Sequence, residues 1–307
     1  MTGSGSPALG IPQFFSFATW ADRKATMRDM ADSFPSRFAA IRRAFGPLAW
    51  GFDPAGSLLE RWGLGDSADG LDRFADIVIE AAVGTVGIVK PQAAFYERQG
   101  WRGIRTLHRL VSDARSAGML VVLDAKRGDV ESTNEAYAEA YLGPGAPIEV
   151  DALTVHPYLG LGAMRAFVER AQSAGSCVLV VTRSSNPEGR GLQSTGGVED
   201  SVEATILREI GALNRDLAPG TLGPIGAVIG PTHLVPALDL RAANAIFLAP
   251  GVGAQGASPE DVAEVFADCP DRVIPSASRL LLDGGPDLGR LRDEGAVLAG
   301  IFRERLP

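Results

Sequence analysis

Short apolar runs alternate with longer amphipathic segments along most of the chain. The run at 119–123 consists of five large apolar residues in succession, which is typical of a strand buried on both faces of a parallel sheet. The intervals between runs mostly leave room for a crossover helix. Strands are predicted at 48–53, 86–90, 119–124, 152–156, 178–182, 225–229, 245–249 and 272–275.

Eight strand–helix units in series predict an α/β fold, the (β/α)8 TIM barrel. The segments 71–84 and 105–117 carry apolar residues at helical spacing and are predicted helices. A doubly wound sheet is the alternative topology, because a sequence pattern rarely separates the two. Residues 19–45 mix apolar and basic positions as one or two amphipathic helices do. We therefore expect a single barrel domain over 1–307, with an N-terminal helical extension over 1–45 that covers the barrel bottom or its side.

Composition narrows the class of ligand. With 307 residues and 46% apolar content the chain can bury one large core. The net charge of −8 argues against a nucleic-acid surface, although it allows a local basic pocket for one phosphate, so a small ligand is expected. No run approaches the roughly 18 apolar residues of a membrane span, and the N-terminus lacks the features of a signal peptide. A cytoplasmic protein is expected.

Cysteine and histidine residues give no sign of a metal site. Cys177 and Cys269 are isolated in the sequence, and Cys177 opens an apolar run, which favours packing in the core. His108, His156 and His233 are scattered without the paired spacing of zinc ligands. No residue pattern requires a metal or another cofactor.

Charged residues stand at the ends of three consecutive predicted strands. Asp124 and Lys126 follow the third strand in the sequence D-A-K-R-G-D and, being two apart, share one face of it. Asp53 and Lys90 end the first and second strands. A salt bridge that closes a strand end is the alternative interpretation of any one such pair. Alternating acids and bases at three strand ends instead indicate a catalytic site, because barrels build catalysis at this edge.

A separate signal indicates phosphate binding. The seventh strand leads into P-G-V-G-A-Q-G at 250–256, where three glycines allow backbone N–H groups to turn toward an anion. The eighth strand leads into S-A-S-R at 276–279, and barrels often hold phosphate after these two strands. The Gly- and Ser-rich loops at 184–197 and 249–259 are candidate lids.

Taken together, these motifs resemble a known family. The run D-x-K-x-x-D-x-x-x-T at 124–133, with G-F-D-P at 51–54, K-P-Q at 90–92, S-N-P at 185–187 and the glycine loop, is similar to the orotidine 5'-phosphate decarboxylases, most of all the longer-chain bacterial branch. The resemblance implies conversion of orotidine 5'-phosphate to uridine 5'-phosphate and CO2 in de novo pyrimidine synthesis. It also implies that no cofactor or metal takes part.

The resemblance assigns roles to individual residues. The catalytic array that it implies is Lys90, Asp124, Lys126 and Asp129. Lys126 would stabilise and protonate a C6 carbanion, and Asp129 would reach the site of the neighbouring subunit, which implies a homodimer. The implied substrate-binding residues are Asp53 for the ribose, Thr133 beside Asp129 across the interface, Ser185 for the pyrimidine, and Gln255, Arg279, Gly251 and Gly253 for the phosphate.

Several alternatives stay open at the level of sequence. Thr133 is also a candidate helix N-cap, Ser184 competes with Ser185, and Arg183 and Arg190 compete with Arg279. A metal-dependent sugar-phosphate decarboxylase shares the D-x-K-x-x-D element but would carry an acid at the end of the second strand. A Schiff-base aldolase would use a lysine without flanking acids. A nucleotide-binding regulator without turnover would lack the charged array.

Overall fold

Eight parallel strands close into a barrel in sequence order, with the eighth paired to the first. The structure is a computed structural model that describes residues 33–197, 199–232, 238–253 and 256–307. Each predicted strand is present within a few residues of its expected bounds, so the TIM barrel is confirmed and the doubly wound alternative is wrong. The strands are β1 (Ala49–Phe52), β2 (Ile88–Pro91), β3 (Leu120–Arg127), β4 (Ala152–Val155), β5 (Cys177–Arg183), β6 (Ile225–Ile229), β7 (Phe247–Pro250) and β8 (Val273–Ala277).

Helices of the described ranges surround the strands, and both predicted crossover helices are present. α3 starts before the predicted segment because Ser67 caps it, accepting the Gly70 N–H at 3.1 Å. The helices are α1 (Phe34–Phe45), α2 (Gly56–Arg61), α3 (Ala68–Ala82), α4 (Ala93–Glu97), α5 (Gly100–Ser116), α6 (Glu131–Tyr141), α7 (Arg165–Ala174), α8 (Arg190–Gln193), α9 (Val202–Leu217), α10 (Pro259–Val265), α11 (Arg279–Leu282) and α12 (Leu288–Arg305). None of these helices is long and apolar enough to cross a membrane.

The barrel has two apolar layers because successive residues of a strand point to opposite sides. Outward-facing residues such as Trp50 and Val121 pack against the surrounding helices. Inward-facing residues such as Ile88 and Val122 fill the barrel together with the apolar face of α1. Cys177 belongs to this inner layer, and burial raises its pKa to about 12. The expectation that Cys177 packs in the core is therefore confirmed.

α1 covers the bottom of the barrel, as expected for part of the N-terminal extension. A Cβ at residue 87 would lie 2.4 Å from a methyl of Ile41, so only glycine lets the helix approach the start of β2. Arg37 of α1 forms an ion pair with the buried Asp151 and donates to the Gly175 carbonyl at 3.0 Å. The rest of the predicted extension, residues 1–32, lies outside the described residues.

Replacement of Arg37 by methionine is expected to lower the free energy of unfolding by about 1–3 kcal/mol, the cost of leaving a buried polar group short of a partner. Asp151 would keep the Val121 N–H at 2.8 Å but lose its strongest donor. The matched control is Arg61→Met, because the Arg61–Asp283 pair is more than half exposed on both sides and contributes little. Urea unfolding of the two variants measures the difference, and equal losses would contradict the role given to Arg37.

Candidate active site

A cavity of about 210 Å³ opens at the carboxyl end of the barrel. Every strand except β4 contributes to its lining directly or through the loop that follows. The charged strand-end residues and the glycine loop, which are far apart in sequence, therefore meet in one place. The lining residues are Asp53, Lys90, Gln92, Asp124, Lys126, Val181, Ser184, Ser185, Asn186, Val228, Leu248, Pro250, Gly251, Val252, Ser276, Ser278 and Arg279.

Asp124 lies between two lysines on one side of the cavity. Its Oδ2 is 3.0 Å from the Lys90 Nζ, and its Oδ1 is 2.6 Å from the Lys126 Nζ. The side chains of Lys90 and Asp124 are less than a tenth exposed, whereas that of Lys126 is 40% exposed. Lys126 is therefore the member of this triad that a ligand in the cavity can reach most easily.

The triad keeps its charges although it is largely buried. Burial alone would raise the pKa of Asp124, but the ammonium groups of Lys90 and Lys126 hold that pKa well below its ordinary range. Burial alone would lower the pKa of Lys90, but the carboxylates of Asp124 and Asp53 raise it above its ordinary value. Asp124 is therefore a carboxylate and Lys90 an ammonium at neutral pH.

β3 runs past its predicted end at Asp124 as far as Arg127, so Lys126 lies within the strand. Leu123 and Arg127 are four positions apart on β3, whereas their partners on β4, Leu153 and Val155, are two positions apart. This irregularity leaves Lys126 in a left-handed backbone conformation with φ 47°. The Thr154 hydroxyl of β4 faces this irregular stretch of β3 and is 2.9 Å from both the Lys126 N and the Asp124 Oδ1.

Asp129 and Thr133 do not line the cavity of their own chain. Asp129 is exposed, and its Oδ1 accepts the Val130 N–H at 2.7 Å. α6 begins at Glu131 with Val130 at the N-cap position, so Thr133 lies in the first helical turn. The alternative in which Thr133 caps a helix starting at residue 134 is therefore wrong.

Asp53 lines the cavity next to Lys90, as the strand-end pattern predicts. Its Oδ1 is buried and has no hydrogen-bond partner among the described residues. Tyr96 lies behind it, and burial together with the Asp53 charge raises the Tyr96 pKa well above its ordinary value. Asp53 thus offers an acceptor to a donor that enters the cavity.

The loop after β5 places Ser184, Ser185 and Asn186 on the cavity wall. The Ser184 Oγ accepts the Asn186 N–H at 2.9 Å, which closes a turn within the loop. Arg183 points away from the cavity and forms a bidentate pair with the buried Glu203, with both N–O distances at 2.8 Å. Arg190 is exposed at the start of α8 and does not line the cavity.

The opposite wall is formed by the loops after β7 and β8. Gly251 lines the cavity with φ 98°, a conformation that L side chains rarely adopt. The Gly253 N–H donates to the Ala257 carbonyl at 2.9 Å, so it closes the loop rather than pointing into the cavity. Arg279 lines the cavity at the start of α11, and no described carboxylate pairs with it. Gln255 lies outside the described residues.

Two residues of the site, Gln92 and Thr154, have no role assigned to them from the sequence. Gln92 follows Lys90 and pairs with Asp124 in an isolated bridge, which extends the sheet at the cavity edge. Thr154 is a β-branched residue inside an apolar strand, where threonine is ordinary. A polar residue in a strand that is otherwise fully buried is the signal that identifies it. No group of three or more metal-ligating side chains occurs within the described ranges.

Comparison with known proteins assigns the chain to a family. The family described as orotidine 5'-phosphate decarboxylase / HUMPS matches residues 58–279. The orotidine 5'-phosphate decarboxylase of Salinispora arenicola is 46% identical over 264 residues, which cover 85% of this chain and 94% of that protein. That of Streptomyces coelicolor is 47% identical over 259 residues, covering 83% of this chain and 92% of that protein.

Solved structures agree with this assignment. A crystal structure from Streptomyces avermitilis, assigned to orotidine 5'-phosphate decarboxylase, superposes with a TM-score of 0.83 at 44% identity and covers 90% of this chain and 96% of that chain. The enzyme of Methanocaldococcus jannaschii, solved with the inhibitor BMP, has a TM-score of 0.59 at 18% identity, covers 83% of this chain and 98% of that chain, and shows the shared fold alone. The chain therefore belongs to the orotidine 5'-phosphate decarboxylase / HUMPS family.

Proposed function

We propose that this chain decarboxylates orotidine 5'-phosphate to uridine 5'-phosphate and CO2, a step of de novo pyrimidine synthesis. The observation that carries the proposal is the Lys90–Asp124–Lys126 triad inside a cavity whose far wall is a glycine loop with an arginine. The triad can supply the charge and the proton that the reaction requires, and the opposite wall can bind the phosphate.

The reaction breaks the bond between C6 and the carboxylate and leaves the electron pair on C6. The pyrimidine ring cannot delocalise this charge as an enolate does, so the protein must stabilise it directly. A fixed ammonium in a water-poor cavity interacts with such a charge far more strongly than in bulk water. Lys126 then gives a proton to C6 and regains one from solvent.

Lys90 and Asp124 hold Lys126 in place for this step. Lys90 is the buried partner that keeps Asp124 ionised, and Asp124 in turn fixes the Lys126 ammonium at 2.6 Å. Lys90 also argues against the metal-dependent reaction of sugar-phosphate decarboxylases, because it stands where those relatives carry an acid. An aldolase lysine would not be held by a carboxylate in this way.

Substrate groups are assigned to the two walls. The unpartnered Asp53 Oδ1 suits the ribose hydroxyls, which donate hydrogen bonds. For the pyrimidine edge we propose Ser185, which lines the cavity beside Ser184 and Asn186. For the phosphate we propose Arg279, Gln255 and the Gly251 backbone, whereas Gly253 shapes the loop.

The Arg279→Ala variant is expected to lower kcat/KM for orotidine 5'-phosphate by roughly one to two powers of ten, the ~1.5–3 kcal/mol of a hydrogen bond to a charged group. Turnover of the phosphate-free nucleoside should barely change, because it never makes the contact. Steady-state kinetics on both substrates measure the contrast, with Arg190→Ala as the control on an exposed arginine outside the cavity. Equal losses on the two substrates would remove Arg279 from the phosphate site.

We also propose a homodimer with shared sites, in which Asp129 and Thr133 act in the cavity of the neighbouring subunit. Asp129 is exposed and does not line the cavity of its own chain. The loops after β3 and β4 contact each other and expose Val130, Tyr158 and Leu159, which are 55%, 80% and 52% exposed. Apolar residues of this size beside Asp129 suit an interface. A cytoplasmic location and the absence of any cofactor stay predictions.

The proposed chemistry is tested by identifying the product in D2O. Incubation of orotidine 5'-phosphate with the purified protein should give CO2 and uridine 5'-phosphate with one deuterium at C6, because the lysine protons exchange with solvent. Proton NMR of the pyrimidine ring reports the position of the label. Product without deuterium at C6, or no product, would contradict the proposal.

A further inference from the structure

Thr154 connects the backbone of Lys126 to the carboxylate of Asp124. It lies on β4 and is only 1% exposed. Its Oγ1 is 2.9 Å from the Lys126 backbone N and 2.9 Å from the Asp124 Oδ1. It does not line the cavity, so it reaches a ligand only through these two residues.

The direction of both hydrogen bonds is fixed by the chemistry of the partners. The Lys126 N–H can only donate, so the threonine oxygen accepts there. The ionised Asp124 can only accept, so the threonine O–H donates to it. The Lys126 ammonium binds the same Oδ1 at 2.6 Å, which closes a ring from the Lys126 backbone through Thr154 and Asp124 to the Lys126 side chain.

The backbone of Lys126 needs such support. The extra residues of β3 between Leu123 and Arg127 interrupt the regular pairing with β4, and the Thr154 hydroxyl takes over the Lys126 N–H. Lys126 also has φ 47°, a region that side chains other than glycine occupy only when the surroundings hold them there. Without the hydroxyl, both the N–H and one acceptor site of Asp124 lose their partner.

We propose that Thr154 is a positioning residue for catalysis, which sets the backbone of Lys126 and the orientation of Asp124 so that the Lys126 ammonium meets C6. This inference rests on the proposed decarboxylation. It gives β4, the strand that adds no residue to the cavity wall, a part in the reaction. A residue that acts through alignment affects kcat, because displacement of a reacting group by about 1 Å can cost ~10²-fold in rate.

The test uses variants that differ in the hydroxyl. Thr154→Val keeps the shape and removes the donor, and kcat for orotidine 5'-phosphate should fall by about 10²-fold while the dissociation constant for uridine 5'-phosphate changes less than about 3-fold. Thr154→Ser keeps the hydroxyl and should stay within about 5-fold of the parent kcat. The matched control is Thr182→Val on β5, because Thr182 is equally buried but its hydroxyl donates only to the Val180 carbonyl, at 3.1 Å.

The outcomes distinguish failure of the proposed decarboxylation from failure of the positioning role of Thr154. An unmodified chain that is inert toward orotidine 5'-phosphate overturns the proposed function, and this inference with it. An active parent whose Thr154→Val variant keeps its kcat, or loses no more than Thr182→Val, overturns the positioning role alone. If Thr154→Val does not fold, Thr154→Cys replaces it, because a thiol is a weak donor of similar size. A kcat for Thr154→Cys equal to that for Thr154→Ser would then contradict the proposal.

Discussion

Replacement of Lys126 by alanine is expected to abolish decarboxylation, with kcat lower by at least ~10⁴-fold, because the lysine supplies both the stabilising charge and the proton. Affinity for uridine 5'-phosphate should stay largely intact, since the product carries no charge at C6. Stopped assays of CO2 release and calorimetric titration with uridine 5'-phosphate measure the two quantities. Turnover within tenfold of the parent would remove Lys126 from the mechanism.

The native cysteines allow a sharper version of this experiment. Cys177 and Cys269 are buried, and burial raises their pKa values to about 12 and about 11, so both thiols are poorly reactive. The Lys126 side chain is 40% exposed, so a thiol introduced by Lys126→Cys is accessible. Treatment of this variant with 2-bromoethylamine restores an ammonium at nearly the original distance. Recovery of at least ~10²-fold in kcat is expected, whereas the similarly treated Lys126→Ala variant should stay inactive.

Mixing inactive Lys126→Ala chains with inactive Asp129→Ala chains is expected to restore activity. If Asp129 acts in the neighbouring cavity, one of the two sites in each mixed dimer has both residues intact. An equimolar, fully exchanged mixture then holds about a quarter of the sites of the parent. The gain is large because both starting samples are inactive.

Purification of the mixed dimer and a control mixture make this result decisive. Differently tagged chains and tandem purification isolate the mixed dimer, and mixing either variant with itself under the same conditions serves as the control. A purified mixed dimer as inactive as its parents would mean that Asp129 acts within its own chain. A chain that stays monomeric at assay concentration would contradict the shared site as well.

The barrel was predictable from sequence because parallel strands buried on both faces are nearly continuous apolar runs. The charged residues that end these runs were predictable for the same reason, since nothing in the core accounts for Asp124 or Lys90. What the sequence did not reveal depends on register. β3 continues to Arg127 because Arg127 pairs with Val155 of β4, and the Thr154 hydroxyl takes the Lys126 N–H; both contacts join residues about thirty positions apart.

The structure also decides between alternatives that the sequence left open. Arg183 stood open as a phosphate ligand until the structure placed it against Glu203, twenty residues away. Gly253 resembled an anion-binding glycine, but the loop uses its N–H for the Ala257 carbonyl. The capping role considered for Thr133 failed because α6 starts at Glu131, a boundary without a side-chain cap that a sequence motif can reveal.

The central claim is that the protein's own residues decarboxylate orotidine 5'-phosphate without a metal or another cofactor. The most direct measurement is the ultraviolet absorbance of orotidine 5'-phosphate mixed with purified protein in EDTA, followed in parallel with added Mg²⁺. The expected result is complete loss of the substrate spectrum at the same rate in both samples. No absorbance change in EDTA would contradict the claim, whether the activity returns with Mg²⁺ or the nucleotide is only bound.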